Sequence, residues 1–481
     1  MSLSFLVVVV PVLGAACQTL APAGSLRAAR GCAAAFAALE LALCALAALL
    51  FDRYDPAVQL ATARPWIDTL GIGFRTGFDG VSLWLLFAGA LVALCCVLYP
   101  RGMEGRPREY YFWLFLLEAA FAGILVSRDM FLLGAFWIAY AVPVYFLEGL
   151  REGEQDGAAA SGHLIYSVAT SALMMAAITA LYTLAKARSF SARDIFQAGA
   201  SLSGGAQCWI FAAFMAAAAA RAPLPPFHSW LGGSLRRAPA SGAAIFGFGA
   251  ITGVYLALKA AAVLPGGAFG LSWPLLTLCA ASALYCAALA VSAEEMQTAV
   301  AWSGAAFSAV LLAGAVSGSV TARAGAVLGA CCAGAAAAAL LLLGDALRQR
   351  FQNPLSARGL LQSMPVFSAL FIVCAASLAA LPPTGGFAGV YLALAGLFPG
   401  YPWHAAAGMA AVLAVALLAA LACRRLLWGD FDAGLQTPDI RPLEAAAIVP
   451  LAVFTVLCGI YPKLLLDYIV PAVTELERLL N

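Results

Sequence analysis

The residues best able to do chemistry lie between Arg221 and Lys259, in the segment RAPLPPFHSWLGGSLRRAPASGAAIFGFGAITGVYLALK. An apolar run ends at Arg221, and His228 precedes a glycine-rich turn. Three prolines lie between them: Pro223, Pro225 and Pro226. Prolines in a helix interior break it. At membrane depth a break is tolerated only where protein or a cavity satisfies the freed backbone groups, and such breaks mark ion sites in transporters. The segment therefore predicts a transporter-like ion site.

The composition is that of a polytopic membrane protein. Hydrophobic residues make up 64% of the 481 residues and charged residues only 10%, whereas a soluble domain has roughly 25% charged residues. The net charge of +2 supports neither nucleic acid nor an acidic protein as a partner. The start, MSLSFLVVVVPVLGAAC, lacks the positive region of a signal peptide, so we expect it to be the first membrane helix.

Apolar runs long enough to span a bilayer, about 20 residues each, must position this segment. They fall near 3–22, 32–51, 79–99, 110–127, 129–149, 162–186, 207–221, 240–263, 271–292, 296–317, 322–345, 366–397, 404–427 and 443–462. The pattern predicts an all-α integral membrane protein with about fourteen transmembrane helices and a short interfacial helix at the end. The longest polar loops are expected at 51–78 and 187–206.

An internal repeat is suggested by a second break. Leu224-Pro225-Pro226 is echoed by Leu381-Pro382-Pro383, and each lies in the fourth helix of a five-helix group. An odd number of helices inverts one group relative to the other, as in inverted-repeat transporters. The predicted divisions are 1–109 with helices one to three, 110–263 with the first repeat, 271–427 with the second repeat, and 443–481 with the last membrane helix and the interfacial helix.

Lys and Arg in the loops set the expected orientation, because cytoplasmic loops carry an excess of both. With the amino terminus outside, the inner loops hold more of them than the outer segments do, including Arg151, Arg236 and Arg237. This bias predicts a multi-pass protein of the bacterial inner membrane with both termini in the periplasm.

The cysteines and histidines give no sign of a cofactor. Thirteen cysteines are scattered through apolar runs without any C-x-x-C spacing, and such cysteines pack as small apolar residues. The three histidines, His163, His228 and His404, have no metal- or haem-binding spacing. We therefore expect no cofactor, no metal and no catalytic site in this chain.

The segment ARAPLPPFHSWLGGSLRRAPASGAAI resembles the signature of the antiporter-like subunits of respiratory complex I, which membrane-bound hydrogenases and multisubunit Na+/H+ antiporters share. FDGVSLWLLF resembles the third helix of that family, and LPPTGGFAGVYLAL resembles its broken twelfth helix. The resemblance covers about residues 70–400. It implies fourteen helices with two inverted five-helix repeats and breaks in helices seven and twelve. It also implies other membrane subunits as partners, and protons or Na+ as the ion.

Several positions depart from the family pattern. By the resemblance, the family's fifth-helix Glu falls on Ile138, its eighth-helix Lys on Ile251 and its twelfth-helix Lys or Glu on Val390. Its seventh-helix Lys falls on Arg221, while Glu118 of the fourth helix is kept. A buried Lys can release a proton near neutral pH, but Arg stays protonated in proteins.

Four residues remain as proton-path candidates: Glu118, Arg221, His228 and Lys259. A carboxylate in an apolar run is expensive and indicates function, but Glu118 could equally be a structural, hydrogen-bonded Glu or contact a neighbouring subunit. Arg221 can pair with Glu118 or another acid as a fixed charge. His228 either titrates or hydrogen-bonds backbone freed by the prolines. Lys259 either snorkels to the outer face or serves proton exit, and Asp129 is expected to cap a helix.

These departures favour an antiporter-like subunit of a complex I-like or hydrogenase-like respiratory complex that has become a degenerate, scaffold or coupling subunit. Two alternatives stay open. One is an active proton- or Na+-translocating subunit with a rerouted path. The other is a membrane subunit of an inorganic-carbon uptake complex or a stand-alone transporter. Any catalytic activity would belong to the redox-driven assembly.

Overall fold

The first half of the chain is a series of apolar helices interrupted by one hairpin. The computed structural model describes residues 2–20, 25–99, 106–150, 157–231, 239–351, 358–429 and 438–478. The first elements are α1 (Leu3–Leu20), α2 (Leu26–Leu50), β1 (Gln59–Ile67), β2 (Ile72–Phe78), α3 (Gly80–Leu98), α4 (Pro107–Val126), α5 (Met130–Gly149), α6 (Gly157–Leu184), α7 (Ala192–Ala200), α8 (Gly204–Arg221) and α9 (Pro239–Val263).

The second half consists of helices joined by turns, without β-strands in its described ranges. It contains α10 (Pro265–Gly270), α11 (Ser272–Val291), α12 (Met296–Val316), α13 (Val320–Arg350), α14 (Leu360–Ser363), α15 (Pro365–Leu378), α16 (Gly385–Leu397), α17 (Pro402–Leu427), α18 (Pro442–Ile460) and α19 (Lys463–Arg478). In the described part of the chain, twelve helices are long and apolar enough to cross a membrane. The other two predicted spans coincide with α8 and with the shorter pair α15 and α16, so the total of fourteen stays a prediction.

The predicted membrane architecture of apolar helices is confirmed, with one β-hairpin in addition and with differences at the helix ends. The helix α2 begins at Leu26, earlier than expected, because the Ser25 side chain accepts a hydrogen bond from the backbone N–H of Ala28 and caps it. The helix α13 extends to Arg350, beyond the apolar run that predicted it. The stretch at Lys463–Arg478 forms the helix expected there.

The expectation of a polar loop at 51–78 was wrong. Residues 59–78 form an antiparallel hairpin of β1 and β2, with Gly71 at a φ of +66° in the turn. Thr76 of β2 also bridges to Ser127, directly after α4. Both strands are short and carry polar residues such as Thr62 and Arg75, so they do not stand out as long apolar runs.

The expected loop at 187–206 also contains structure, because α7 lies within it. Ser191 caps α7 by accepting from the N–H of Asp194, and it bridges to Asp129 at the start of α5. The hairpin, the α4–α5 turn and α7 therefore lie on one side of the molecule, called the hairpin side below.

Both predicted helix breaks are present and share one local geometry. In the first, the N–H of Leu224 donates to the carbonyl of Ala219 at 3.0 Å. In the second, the N–H of Leu381 donates to the carbonyl of Ala376 at 2.8 Å. Each bond spans five residues instead of four and satisfies a donor that the break would free. The peptide bonds Pro225-Pro226 and Pro382-Pro383 are both cis.

The helix α13 lies at the centre of the second half. It packs against α16, α9, α12 and α18, and it also contacts α3. After the second break, Gly386 lies so close to the carbonyl oxygen of Ser377 that an added Cβ would stand 1.9 Å from it. The two halves of the second broken helix therefore meet through backbone that only glycine permits.

Candidate functional site

Arg221 ends α8 at the first break, where two aromatic rings of α5 hold it. Its guanidinium carbon lies 3.8 Å from the ring centroids of both Trp137 and Tyr140. One Nη donates to the carbonyl oxygen of Trp137, and the side chain is buried. A desolvated guanidinium against aromatic faces gains about 2 kcal/mol or more from cation–π attraction. Arg221 is therefore held as a positive charge.

The expected pairing of Arg221 with Glu118 was wrong. Among the described residues no carboxylate forms an ion pair with Arg221. Glu118 is 1% exposed on α4, and neither of its carboxyl oxygens has a hydrogen-bond partner in the described chain. The aromatic rings of α5 take the place that an acid would occupy beside the guanidinium.

Glu118 instead has an acidic neighbour, Glu40, that was not predicted from the sequence. Glu40 of α2 is fully buried, both of its carboxyl oxygens lack hydrogen-bond partners in the described chain, and it interacts electrostatically with Glu118. The available signal was a single Glu in the apolar run CAAAFAALELALC. The same reasoning that selected Glu118 applied to it.

Lys259 does not snorkel to a surface. Its Nζ donates to Asp79 Oδ2 at 2.8 Å, and the residue is 8% exposed. Arg128 Nη1 donates to the same oxygen at 2.8 Å, and its Nη2 donates to Ser82 Oγ at 2.9 Å. Lys259 therefore binds the Asp79 carboxylate on the hairpin side, and its amine does not extend to the surface. Neither Asp79 nor Arg128 was among the site residues predicted from the sequence.

Asp79 is anchored as the N-cap of α3. Its Oδ1 accepts the N–H of Ser82 at 2.7 Å, and the Ser82 hydroxyl accepts the N–H of Asp79. Burial opposes ionisation of Asp79, but the charges of Arg128 and Lys259 outweigh it and hold its pKa well below the ordinary value. This cluster is an ionised, structural triad.

Asp129 caps α5, as expected. It accepts from the N–H groups of Phe131 and Leu132, and it pairs with Arg75 of β2 at 2.8 Å. The cap ties the start of α5 to the hairpin.

His228 lies just past the first break and faces the second half. Its ring makes edge contacts with Tyr285 of α11 at 5.4 Å and with Trp302 of α12 at 5.7 Å between centroids. These are packing contacts, and a titrating role for His228 stays a prediction.

A His–Glu pair that the sequence did not single out lies against the segment that follows the first break. His163 Nδ1 and Glu148 Oε1 are 2.7 Å apart, with both side chains nearly buried. The His163 ring stacks on Trp230, with centroids 3.9 Å apart and planes 8° apart. Trp230 of the signature segment therefore packs on a His–Glu pair. The predicted inner-loop residues Arg151, Arg236 and Arg237 lie outside the described residues.

The three positions at which the resembled family carries titratable residues are apolar in different settings. Ile251 of α9 and Val390 of α16 are buried in the core, whereas Ile138 of α5 is 39% exposed. Between Ala324 and Gly344, α13 contributes only Cys331 and Cys332 as titratable side chains. No group of three metal-binding residues occurs in the described chain.

The four proton-path candidates are not brought together. Arg221 contacts aromatic rings, Glu118 neighbours Glu40, and Lys259 bonds Asp79. His228 contacts rings of α11 and α12. Each candidate belongs to its own cluster, so no chain of directly bonded titratable groups joins them among the described residues.

Comparison with known proteins gives a consistent result. Residues 127–417 match the family described as NADH:quinone oxidoreductase/Mrp antiporter, TM. The chain is 28% identical to NADH-quinone oxidoreductase subunit M of Rhodobacter capsulatus over 443 residues, covering 89% of this chain and 86% of the relative. It is 26% identical to F(420)H(2) dehydrogenase subunit M of Methanosarcina mazei, covering 97% and 96%.

Solved structures share the fold. A chain of respiratory complex I from Thermus thermophilus superposes with a TM-score of 0.90 at 26% identity, covering 99% of this chain and 100% of that one. A chain of the Mrp complex from Dietzia sp. DQ12-45-1b gives a TM-score of 0.83 at 19% identity, covering 98% of this chain and 52% of that one, and this likeness concerns the fold alone. The signature around the first break and the family match over more than half of the chain lead to one conclusion: this protein belongs to the antiporter-like membrane-subunit family of NADH:quinone oxidoreductases and Mrp antiporters.

Proposed function

We propose that this chain is the antiporter-like membrane-arm subunit of a complex I-like or membrane-bound hydrogenase-like respiratory complex in a bacterial inner membrane. It serves there as a scaffold and coupling element and does not complete a proton path of its own. The names of its relatives support the first part, because they are subunits of NADH-quinone oxidoreductases and related dehydrogenases. Its partners are other membrane subunits of that complex.

The aromatic cage around Arg221 carries the second part. A relay group must bind and release a proton during each cycle, and a guanidinium keeps its proton. Trp137 and Tyr140 hold that charge, and no carboxylate in the described part of the chain pairs with it. Arg221 therefore acts as a lock at the first break.

The residues at the other candidate positions support the same proposal. Ile251 and Val390 are buried and cannot carry protons. The amine of Lys259 is hydrogen-bonded to the carboxylate of Asp79. A rerouted proton path would need titratable groups or ordered polar groups to bridge the gaps between these clusters.

Proton pumping by the purified complex in proteoliposomes tests the proposal. The number of protons moved per electron is compared between the unaltered complex and the variants Arg221→Gln, Arg221→Lys and Glu118→Gln. We expect the same ratio in all of them, because none of these groups lies on a path that carries protons across the membrane. The variant Arg193→Gln, at an exposed position on α7, controls for loss of an Arg without loss of a buried contact.

Electron transfer and subunit composition are measured on the same samples. A lower proton-to-electron ratio in Arg221→Gln or Glu118→Gln, with assembly and electron transfer intact, would establish the rerouted path instead. A complex without redox subunits would point to an uptake complex or a stand-alone transporter.

A further inference from the structure

Two buried carboxyl groups, one on α2 and one on α4, interact electrostatically with each other. Glu40 lies in α2 and Glu118 in α4, and the two helices pack together. Glu40 is 0% exposed and Glu118 is 1% exposed. All four carboxyl oxygens lack hydrogen-bond partners within the described residues.

The surroundings of the pair contain thiols and apolar groups. Cys44 follows Glu40 by one helical turn and interacts with both carboxyls, and Cys96 of α3 interacts with Glu118. Within the described ranges, neither carboxyl has a basic side chain among its interaction partners. The pair therefore differs from Asp79, whose charge is matched by two cations.

Two ionised carboxylates cannot persist in such a place. An unpaired carboxylate in an apolar medium costs far more than its neutral form, so such a group neutralises instead. Two carboxyls sharing a site also repel each other when both are charged, which favours proton uptake by one of them. A proton on one carboxyl gives it an O–H donor, which the other carboxyl can accept once a side-chain rotation brings the two oxygens within hydrogen-bond distance.

We infer that Glu40 and Glu118 form a proton-binding dyad between α2 and α4. The ligand is a proton and not a metal cation. Hard cations require about six oxygen ligands, and no group of three His, Cys, Asp or Glu side chains among the described residues is placed to hold a metal ion. Release of the bound proton leaves uncompensated charge between two packed helices and forces them apart. Proton occupancy of the dyad is thereby linked to the contact between α2 and α4.

Infrared difference spectroscopy of the purified complex tests the dyad. A protonated carboxyl has a C=O stretch separate from that of a carboxylate, and the stretch shifts on exchange into D2O. We expect Glu40→Gln and Glu118→Gln each to remove or shift such a band, and the double variant to remove it completely. Glu109→Gln is the matched control on α4, because Glu109 is half-exposed and paired with Arg106, and it should leave the band unchanged.

Two outcomes would overturn the inference. One is a protonated-carboxyl spectrum in both single variants that equals the spectrum of Glu109→Gln. The other is failure of the single Gln variants to assemble, because Gln has the shape and neutrality of a protonated Glu and should be accepted. The readout is independent of pumping, so this inference and the proposed function can fail separately.

Discussion

The guanidinium of Arg221 stacks on the ring of Tyr140, and that ring is itself fixed from the opposite end. The Tyr140 hydroxyl donates to the carbonyl oxygen of Ile245 in α9 at 3.2 Å. The Trp137 carbonyl accepts from Arg221. The contact therefore joins α5, α8 and α9 at the point where the first helix breaks, and it uses a side chain that keeps its charge.

Arg221→Lys should weaken this junction. A Lys ammonium is a compact charge that cannot lie flat against two rings and reach the Trp137 carbonyl at once. Because buried cation–π contacts contribute about 2 kcal/mol or more, we expect the free energy of unfolding to fall by about 1–3 kcal/mol. The measurement is the thermal unfolding midpoint of the purified protein or complex.

Arg53→Lys is the control for that substitution. Arg53 also stacks on a tyrosine, with its guanidinium carbon 5.1 Å from the Tyr54 ring, but its side chain is 48% exposed. We expect no measurable change there. Equal shifts in the two variants would show that burial of the stacked pair does not decide its contribution.

The spanning helices could be predicted because long apolar runs and proline breaks are local signals. Leu224-Pro225-Pro226 and Leu381-Pro382-Pro383 both break their helices as the prolines dictate. Trp137 and Tyr140 are apolar enough to be read only as packing residues, so the cage around Arg221 could not be foreseen.

The remaining features depend on contacts between distant segments. Lys259 pairs with Asp79, which precedes it by 180 residues, and no local pattern encodes that meeting. Glu40 gave the same local signal as Glu118, but the importance of the two appears only when α2 packs on α4. The partners that decide the chemistry of the proton-path candidates therefore could not be predicted from the sequence around each candidate.

Lys259→Met should destabilise the hairpin side. The substitution leaves Asp79 buried with Arg128 as its remaining cation. Loss of one charged hydrogen-bond partner from a buried group costs about 1–3 kcal/mol. Chemical denaturation of the variant near neutral pH measures this loss, and Lys463→Met, at an exposed position, serves as the control.

The loss of folding stability caused by Lys259→Met should depend on pH in a defined direction. The folded-state pKa of Asp79 is lowered, so its stabilisation is fully present above the unfolded pKa of about 3.9 and is lost as pH falls through the folded value. The stability difference between the variant and the unaltered protein should therefore be constant near neutrality and shrink below about pH 4. A difference that grows in acid would contradict an ionised Asp79.

Glu148→Gln should loosen the packing beside the first break. The pair of Glu148 with His163 is nearly buried, and hydrogen bonds to charged groups contribute about 1.5–3 kcal/mol. Because His163 stacks on Trp230, the fluorescence of this tryptophan should change together with stability. Glu109→Gln, at a half-exposed position, should change neither, and an unaltered Trp230 signal in Glu148→Gln would argue against the coupling.

Gly386→Ala tests the second break, where backbone meets backbone. An added Cβ would stand 1.9 Å from the carbonyl oxygen of Ser377, and backbone cannot move aside as a flexible side chain can. Forced overpacking costs about 1–3 kcal/mol or more, so we expect reduced assembly on native gels and a lower unfolding midpoint. Gly400→Ala is the matched control, because a Cβ at Gly400 would meet no atom within 4 Å. Equal assembly and equal unfolding midpoints in the two variants would mean that α15 and α16 can separate at the break without cost, which would contradict the requirement for glycine at position 386.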